Sequence, residues 1–237
     1  MTTMTEQRRE QIERRLAEVR ERITRACATA GRSSEEVTLI VVTKFFPASD
    51  VRLLAELGVR HVGENRHQEA VQKAAECAEV DVSWHFIGTL QSNKAAAVAA
   101  YADVVHSVDR SKLLGGLSRG AQERGRDLDC LVQVSLDPPE AGDRSGAAVA
   151  EVPGLAEQVL GTEGLRLRGV MGVAPLGGDA GEAFARLREV ADDVRRLAPG
   201  ATWISAGMSG DLEQAIAAGA THLRIGSAVL GPRPVVK

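Results

Sequence analysis

Apolar positions near the start of the chain recur at helical spacing. Ile12, Leu16, Val19, Ile23 and Ala26 stand four, three, four and three residues apart, which places them on one face of a helix. That helix is expected to end near Gly31, with Ser33-Ser34-Glu35-Glu36 as a polar break behind it. The pattern then changes. Residues 37–43 (VTLIVVT) form an unbroken run of β-branched and apolar side chains, as in a strand covered on both faces. A helical pattern over 49–57 follows, closed by Gly58. The beat continues with strands expected at 61–64, 84–87, 104–108, 128–136, 165–173, 202–206 and 222–225. Helical segments such as 111–124, 181–197 and 211–218 fall between them.

Eight strands alternating with helices predict an α/β fold, a closed (β/α)8 barrel of the TIM type. Residues 1–31 would add an N-terminal helix, and the 237 residues would make a single domain. An open doubly wound sheet fits less well, because the count is eight and no G-x-G-x-x-G follows the first strand. Long loops at 137–146 and 176–181 leave the C-terminal ends of the fifth and sixth strands, the face on which barrels carry their sites.

Composition narrows the function classes. Charge is nearly balanced, 29 Lys+Arg against 32 Asp+Glu, and aromatics are 3%. Neither phosphate neutralisation nor base stacking is served, so no nucleic-acid partner is expected. No run approaches the ~20 apolar residues of a membrane span. The Arg- and Glu-rich start lacks the apolar core of a secretory signal. Cys27, Cys77 and Cys130 are far apart and form no C-x-x-C, which reads as reduced, buried thiols in a cytoplasmic protein. His61, His85, His106 and His222 lie on or beside strands and His67 starts a helix; none has metal-ligand spacing, and no metal site is expected.

Two clusters carry candidate chemistry. Lys44 ends the first buried strand in VVTKFFP. Position alone leaves two readings: an amine made nucleophilic by desolvation, or a lysine snorkelling from a strand end. At the other end of the chain, Ser205-Ala206-Gly207-Met208-Ser209-Gly210-Asp211 and Arg224-Ile225-Gly226-Ser227 follow the seventh and eighth strands. Small residues there let backbone N–H groups approach an anion, although turn glycines and a simple N-cap would look alike. Barrel closure makes the eighth strand a neighbour of the first. An amine beside a phosphate cradle suits a phosphorylated aldehyde, either pyridoxal phosphate or a sugar phosphate held by an aldolase.

The segments VVTK, GEN, WHFIGTLQSNK, HSVDR, GVMGV, SAGMSGD and HLRIGSAVLGPR occur in an order and spacing that resembles the pyridoxal-phosphate homeostasis proteins, themselves similar to the barrel domain of alanine racemase. The resemblance implies a protein that holds pyridoxal 5'-phosphate as a Schiff base on Lys44 and releases it to apo-enzymes. It also implies that Ser205, Met208, Ser209, Gly226 and Ser227 cradle the phosphate, that Arg224 faces the pyridine nitrogen, and that Asn65 lies near the ring. An arginine keeps that nitrogen unprotonated, and so weakens the ring as an electron sink. Alanine racemase takes its second base, a tyrosine, from a separate β-domain; Tyr101, the only tyrosine here, reads as packing. A non-enzymatic, monomeric carrier is therefore expected, with a weak amino-acid racemase as the alternative. Two departures stand out. The family's Lys-Thr-Lys-like stretch is Thr43-Lys44-Phe45-Phe46 here, and its lysine in the loop after the fifth strand is Arg144, a guanidinium that cannot condense with an aldehyde.

Overall fold

The computed structural model describes residues 3–138 and 146–232. Arg144 lies outside the described residues. The strands are β1 Thr38–Val42, β2 His61–Glu64, β3 Ser83–Phe86, β4 Val104–Val108, β5 Leu128–Val134, β6 Leu165–Gly172, β7 Trp203–Ser205 and β8 His222–Ile225. All pair in parallel and in chain order, and β8 closes onto β1 with Thr38 opposite His222 and Ile40 opposite Arg224. The expected barrel is the observed one. The helices are α1 Met4–Thr29, α2 Ala48–Glu56, α3 His67–Glu76, α4 Ala95–Ala99, α5 Leu114–Arg124, α6 Val152–Leu160, α7 Ala180–Leu197, α8 Leu212–Ala217 and α9 Ser227–Leu230. Among the described residues no helix is long and apolar enough to cross a membrane. The three cysteines are free and buried.

Departures from the expected limits have local causes. The run over 37–43 loses its last residue to a turn, because Phe45 takes a left-handed φ of 70° just beyond it. Inside β6, Gly169 has φ 148°, where the β5–β6 register slips; a Cβ there would collide with the Trp203 carbonyl. Residues 111–113 form a 3-10 turn ahead of α5.

The barrel interior is not purely apolar. His85, His106, Ser205, His222 and Arg224 are buried within it, while Thr43 and Glu64 are buried on the other side of the wall, where β1 and β2 meet α3. Helix α1 buries Ile12, Leu16, Val19, Ile23 and Cys27 against the outer layer, chiefly α8 and α9. Arg8 grips the buried Asp50 of α2 with Nε at 3.2 Å and a terminal nitrogen at 2.5 Å.

Candidate functional site

Lys44 stands at the end of β1, and the turn that presents it is pinned from below. The Lys73 ammonium of α3 lies 2.5 Å from Glu64 Oε1 and donates to the Thr43 carbonyl at 2.9 Å. Thr43 Oγ1 donates to the same Glu64 oxygen at 2.6 Å, and the Phe45 N–H donates to Glu69. Burial raises the Glu64 carboxyl pKa, and Lys73 and Thr43 pull it back. Left-handed backbone at a phenylalanine costs on the order of 1–3 kcal/mol and persists only where the surroundings enforce it. Here the enforcing groups are the Glu69 carboxylate and the Arg66 guanidinium, 5.1 Å over the Phe45 ring. The sequence gives little sign of this support. Glu69 and Lys73 stand four apart, as an ordinary surface pair would, and only the packing of α3 back onto β2 brings Glu64 beneath them.

Across the β1–β8 seam, Gly207 turns the chain with φ 91°, where a Cβ would meet Ala215 and Leu223. Asp211 Oδ1 accepts from the Met208 N–H at 2.6 Å and closes the loop on itself. The backbone N–H groups of Ser209, Gly210 and Gly226 donate to no acceptor among the described residues. At Gly226 a Cβ would fall 3.3 Å from the Val42 carbonyl, so the close approach to β1 favours glycine. From outside, Arg22 of α1 donates to the Ser209 carbonyl at 2.7 Å and pairs with Glu213 through two nitrogens, at 2.5 and 2.7 Å. The pairing lowers the Glu213 carboxyl pKa. The N-terminal helix thus braces this loop, a role the sequence did not suggest.

Arg224 lies between the two halves. It is 5% exposed; one terminal nitrogen donates to Ser205 Oγ at 2.6 Å and the other to the Gly172 carbonyl at 2.9 Å. Among the described residues no carboxylate is within ion-pair distance. Burial draws the guanidinium down to about 10, with Asp211 opposing from a distance, so it is charged at neutral pH. A buried cation lacking a carboxylate is costly unless an anion completes it.

These parts line one cavity of 370 Å³, within the roughly 300–1,000 Å³ of small-molecule sites. Lys44, Asn65, Met208, Ser209, Arg224, Gly226 and Ser227 all reach it, with Phe45, Ile87 and Val173 as apolar wall. Asn65 brings a buried Oδ1 that has no hydrogen-bond partner among the described residues. Ser205 is not among the lining residues; it is fully buried beneath Arg224 and 2.9 Å from His106 Nδ1. A larger cavity, 820 Å³, adjoins the loops after β5 and β6, but its described rim sets Asp137, Asp179 and Glu182 against Arg186, the wrong balance for an anion.

Residues 15–234 match the alanine racemase N-terminal domain family. The pyridoxal phosphate homeostasis protein of Mycobacterium tuberculosis is 43% identical over 247 residues, covering 95% of this chain and 94% of its own. The chain belongs to the pyridoxal phosphate homeostasis proteins. The Escherichia coli K12 member is 37% identical over 232 residues, 95% of this chain and 98% of that one. Among solved structures, the pyridoxal-phosphate-bound form of PipY from Synechococcus elongatus is 37% identical with a TM-score of 0.78, over 93% of this chain and all of PipY. Alanine racemase from Corynebacterium glutamicum, at 12% identity and TM-score 0.65 over 97% of this chain and 63% of its own, shares the fold.

Proposed function

We propose that this protein binds pyridoxal 5'-phosphate in the cavity at the β1–β8 seam, holds it through Lys44, and releases it to cytoplasmic apo-enzymes without turning over a substrate. The observation that carries this reading is the buried guanidinium of Arg224, which has no carboxylate partner among the described residues, in the same cavity as Lys44. The N–H groups of Ser209, Gly210 and Gly226, which have no acceptor among the described residues, suit the phosphate, and Asn65 Oδ1, without a partner among them, suits a polar ligand. Pyridoxal phosphate supplies an aldehyde that condenses with a primary amine with loss of water, and Lys44 is the lysine among the described lining residues. Arg224 keeps Nε–H and one hydrogen on each terminal nitrogen for a ligand, and a guanidinium donates without giving up its proton. Phe45, Ile87 and Val173 give the cavity apolar lining.

The carrier reading is favoured over a racemase by the place of Tyr101. Its hydroxyl is buried without a partner among the described residues, its ring stacks on His67 with centroids 5.9 Å apart, and burial pushes its pKa up. It does not line the cavity.

The test is spectroscopic. Mixed with pyridoxal phosphate, the wild-type chain is expected to develop a visible band that borohydride abolishes, leaving the added mass on Lys44; Lys44→Ala is expected to do neither. A band of equal strength in the variant overturns the anchor. Turnover of an amino acid by the loaded wild type, lost in Lys44→Ala, would overturn the carrier reading. The brace from α1 gives a further expectation. Arg22→Ala should leave the fold intact and weaken pyridoxal phosphate binding by about 1 kcal/mol, roughly fivefold in Kd, the scale of a partly exposed ion pair with one added hydrogen bond. An unchanged Kd by absorbance titration removes α1 from the site.

A further inference from the structure

Four side chains cross the barrel interior in a single hydrogen-bonded file. His61 Nδ1 lies 3.0 Å from His85 Nε2, His85 Nδ1 lies 2.8 Å from His106 Nε2, and His106 Nδ1 lies 2.9 Å from Ser205 Oγ. Arg224 donates to the same Ser205 oxygen at 2.6 Å. His85, His106 and Ser205 are at most 1% exposed. One end of the file meets the ligand cavity through Arg224. The other end, His61, lines a separate 740 Å³ cavity at the opposite mouth of the barrel, beside His222, Arg195 and Trp203.

Elementary donor rules fix the direction. Arginine only donates, so Ser205 Oγ accepts from Arg224. Among the described residues, the one acceptor within reach of the Ser205 hydroxyl proton is His106 Nδ1. A neutral His106 then carries its proton on Nε2 and donates to His85 Nδ1. His85, on the same terms, donates from Nε2 to His61 Nδ1, and His61 keeps its own Nε2–H for the far mouth. Neutral rings are what the surroundings favour. Burial holds His85 and His106 well below the usual histidine range, and His61, His222 and Arg224 press in the same direction. At the far end burial also lowers His61, with Asp103 opposing.

We infer that Ser205, His106, His85 and His61 form a one-way hydrogen-bond relay that positions Arg224 and couples the ligand cavity to the far mouth of the barrel. Reversing any one bond forces the others to reverse. Ser205 would then accept from both His106 and Arg224 and leave its own proton without an acceptor, so the forward order and the placement of Arg224 support each other. An acceptor bound at the far mouth, facing His61 Nε2–H, reinforces that order; a donor there opposes it.

The polarity stands on the hydrogen-bond geometry of neutral rings, whereas the coupling to a ligand rests on pyridoxal phosphate entering the cavity. Two-bond proton–nitrogen correlation spectra of the full chain labelled with ¹⁵N-histidine separate the two. Without ligand, His61, His85 and His106 are expected to show the neutral Nε2–H pattern at pH 7.5. An Nδ1–H or doubly protonated ring at any of the three overturns the relay. On adding pyridoxal phosphate, the ring nitrogens of His61 are expected to shift, although His61 lies at the opposite mouth. The shift should vanish in Ser205→Ala, which breaks the file at its first link. Binding seen by absorbance with His61 unmoved, or an equal shift in Ser205→Ala, overturns the coupling. If absorbance shows no binding, the reading of the cavity falls, and the ligand-free spectra alone decide the relay.

Discussion

Acidification from pH 7 to pH 5 is expected to remove a large part of this protein's stability. His85, His106 and His222 are buried and neutral in the fold, with burial as the main cause; His222 is drawn down to about 3. In the unfolded chain each titrates near the ordinary histidine value of about 6.5. Below that pH the unfolded state takes up protons that the folded state refuses, so stability is full above 6.5 and falls as the pH drops toward the folded values. At pH 5 each contributes about 2 kcal/mol of loss, about 6 kcal/mol for the three, against the roughly 5–15 kcal/mol that holds most domains folded. The raised carboxyl pKa values of Glu64 and Asp129 return part of this. Urea unfolding at the two pH values measures the drop. His222→Phe keeps a ring against Trp203, whose centroid is 4.2 Å away, and should lower proton uptake on unfolding by about one. A midpoint unchanged between pH 7 and pH 5 would mean that these imidazoles are charged in the fold.

Replacing Lys73 by methionine should destabilise the protein by about 3–5 kcal/mol, the scale for stripping one partner from a buried ion pair. Lys73 and Glu64 have side chains 5% and 2% exposed, and Glu64 Oε2 already has no hydrogen-bond partner. Without the ammonium, Glu64 keeps Thr43 Oγ1 as its donor and becomes easier to protonate. A carboxyl whose folded pKa is raised gains stability as the pH falls, so the deficit of Lys73→Met should shrink on moving from pH 8 to pH 6. Adding Glu64→Gln removes the stranded charge and should recover most of the loss. A single variant within 1 kcal/mol of wild type, or a double variant worse than the single, would show that this pair does not hold the Lys44 turn.

Much of the fold was legible because a strand buried on both faces has nowhere to put a polar residue. The run over 37–43 stood out on that ground, and its limits erred by a residue at each end, where turns take over. The glycine-rich loops were legible as well, since Gly207 and Gly226 sit where the chain turns sharply or passes close to β1. The histidines show where such reading stops. His61, His85 and His106 are 24 and 21 residues apart, one strand–helix repeat each, and that spacing has meaning only once the barrel is closed. Searching for local ligand motifs passed over them. Ser205 was placed by its neighbours in the loop, yet as the last residue of β7 it points beneath Arg224. Arg22 and Lys73 carry no sign of their partners in the sequence, because a helical pattern tells which face is polar and not what lies opposite it.

The bond from Arg22 to the Ser209 carbonyl joins an outer helix to an inner loop, and such a link works in both directions. Whatever free energy docked α1 lends to the loop when the cavity fills, a filled cavity returns to the docking of α1. On the proposed reading of the cavity, the outside of the barrel would then carry a record of whether its mouth is loaded, legible at α1 without entry into the cavity.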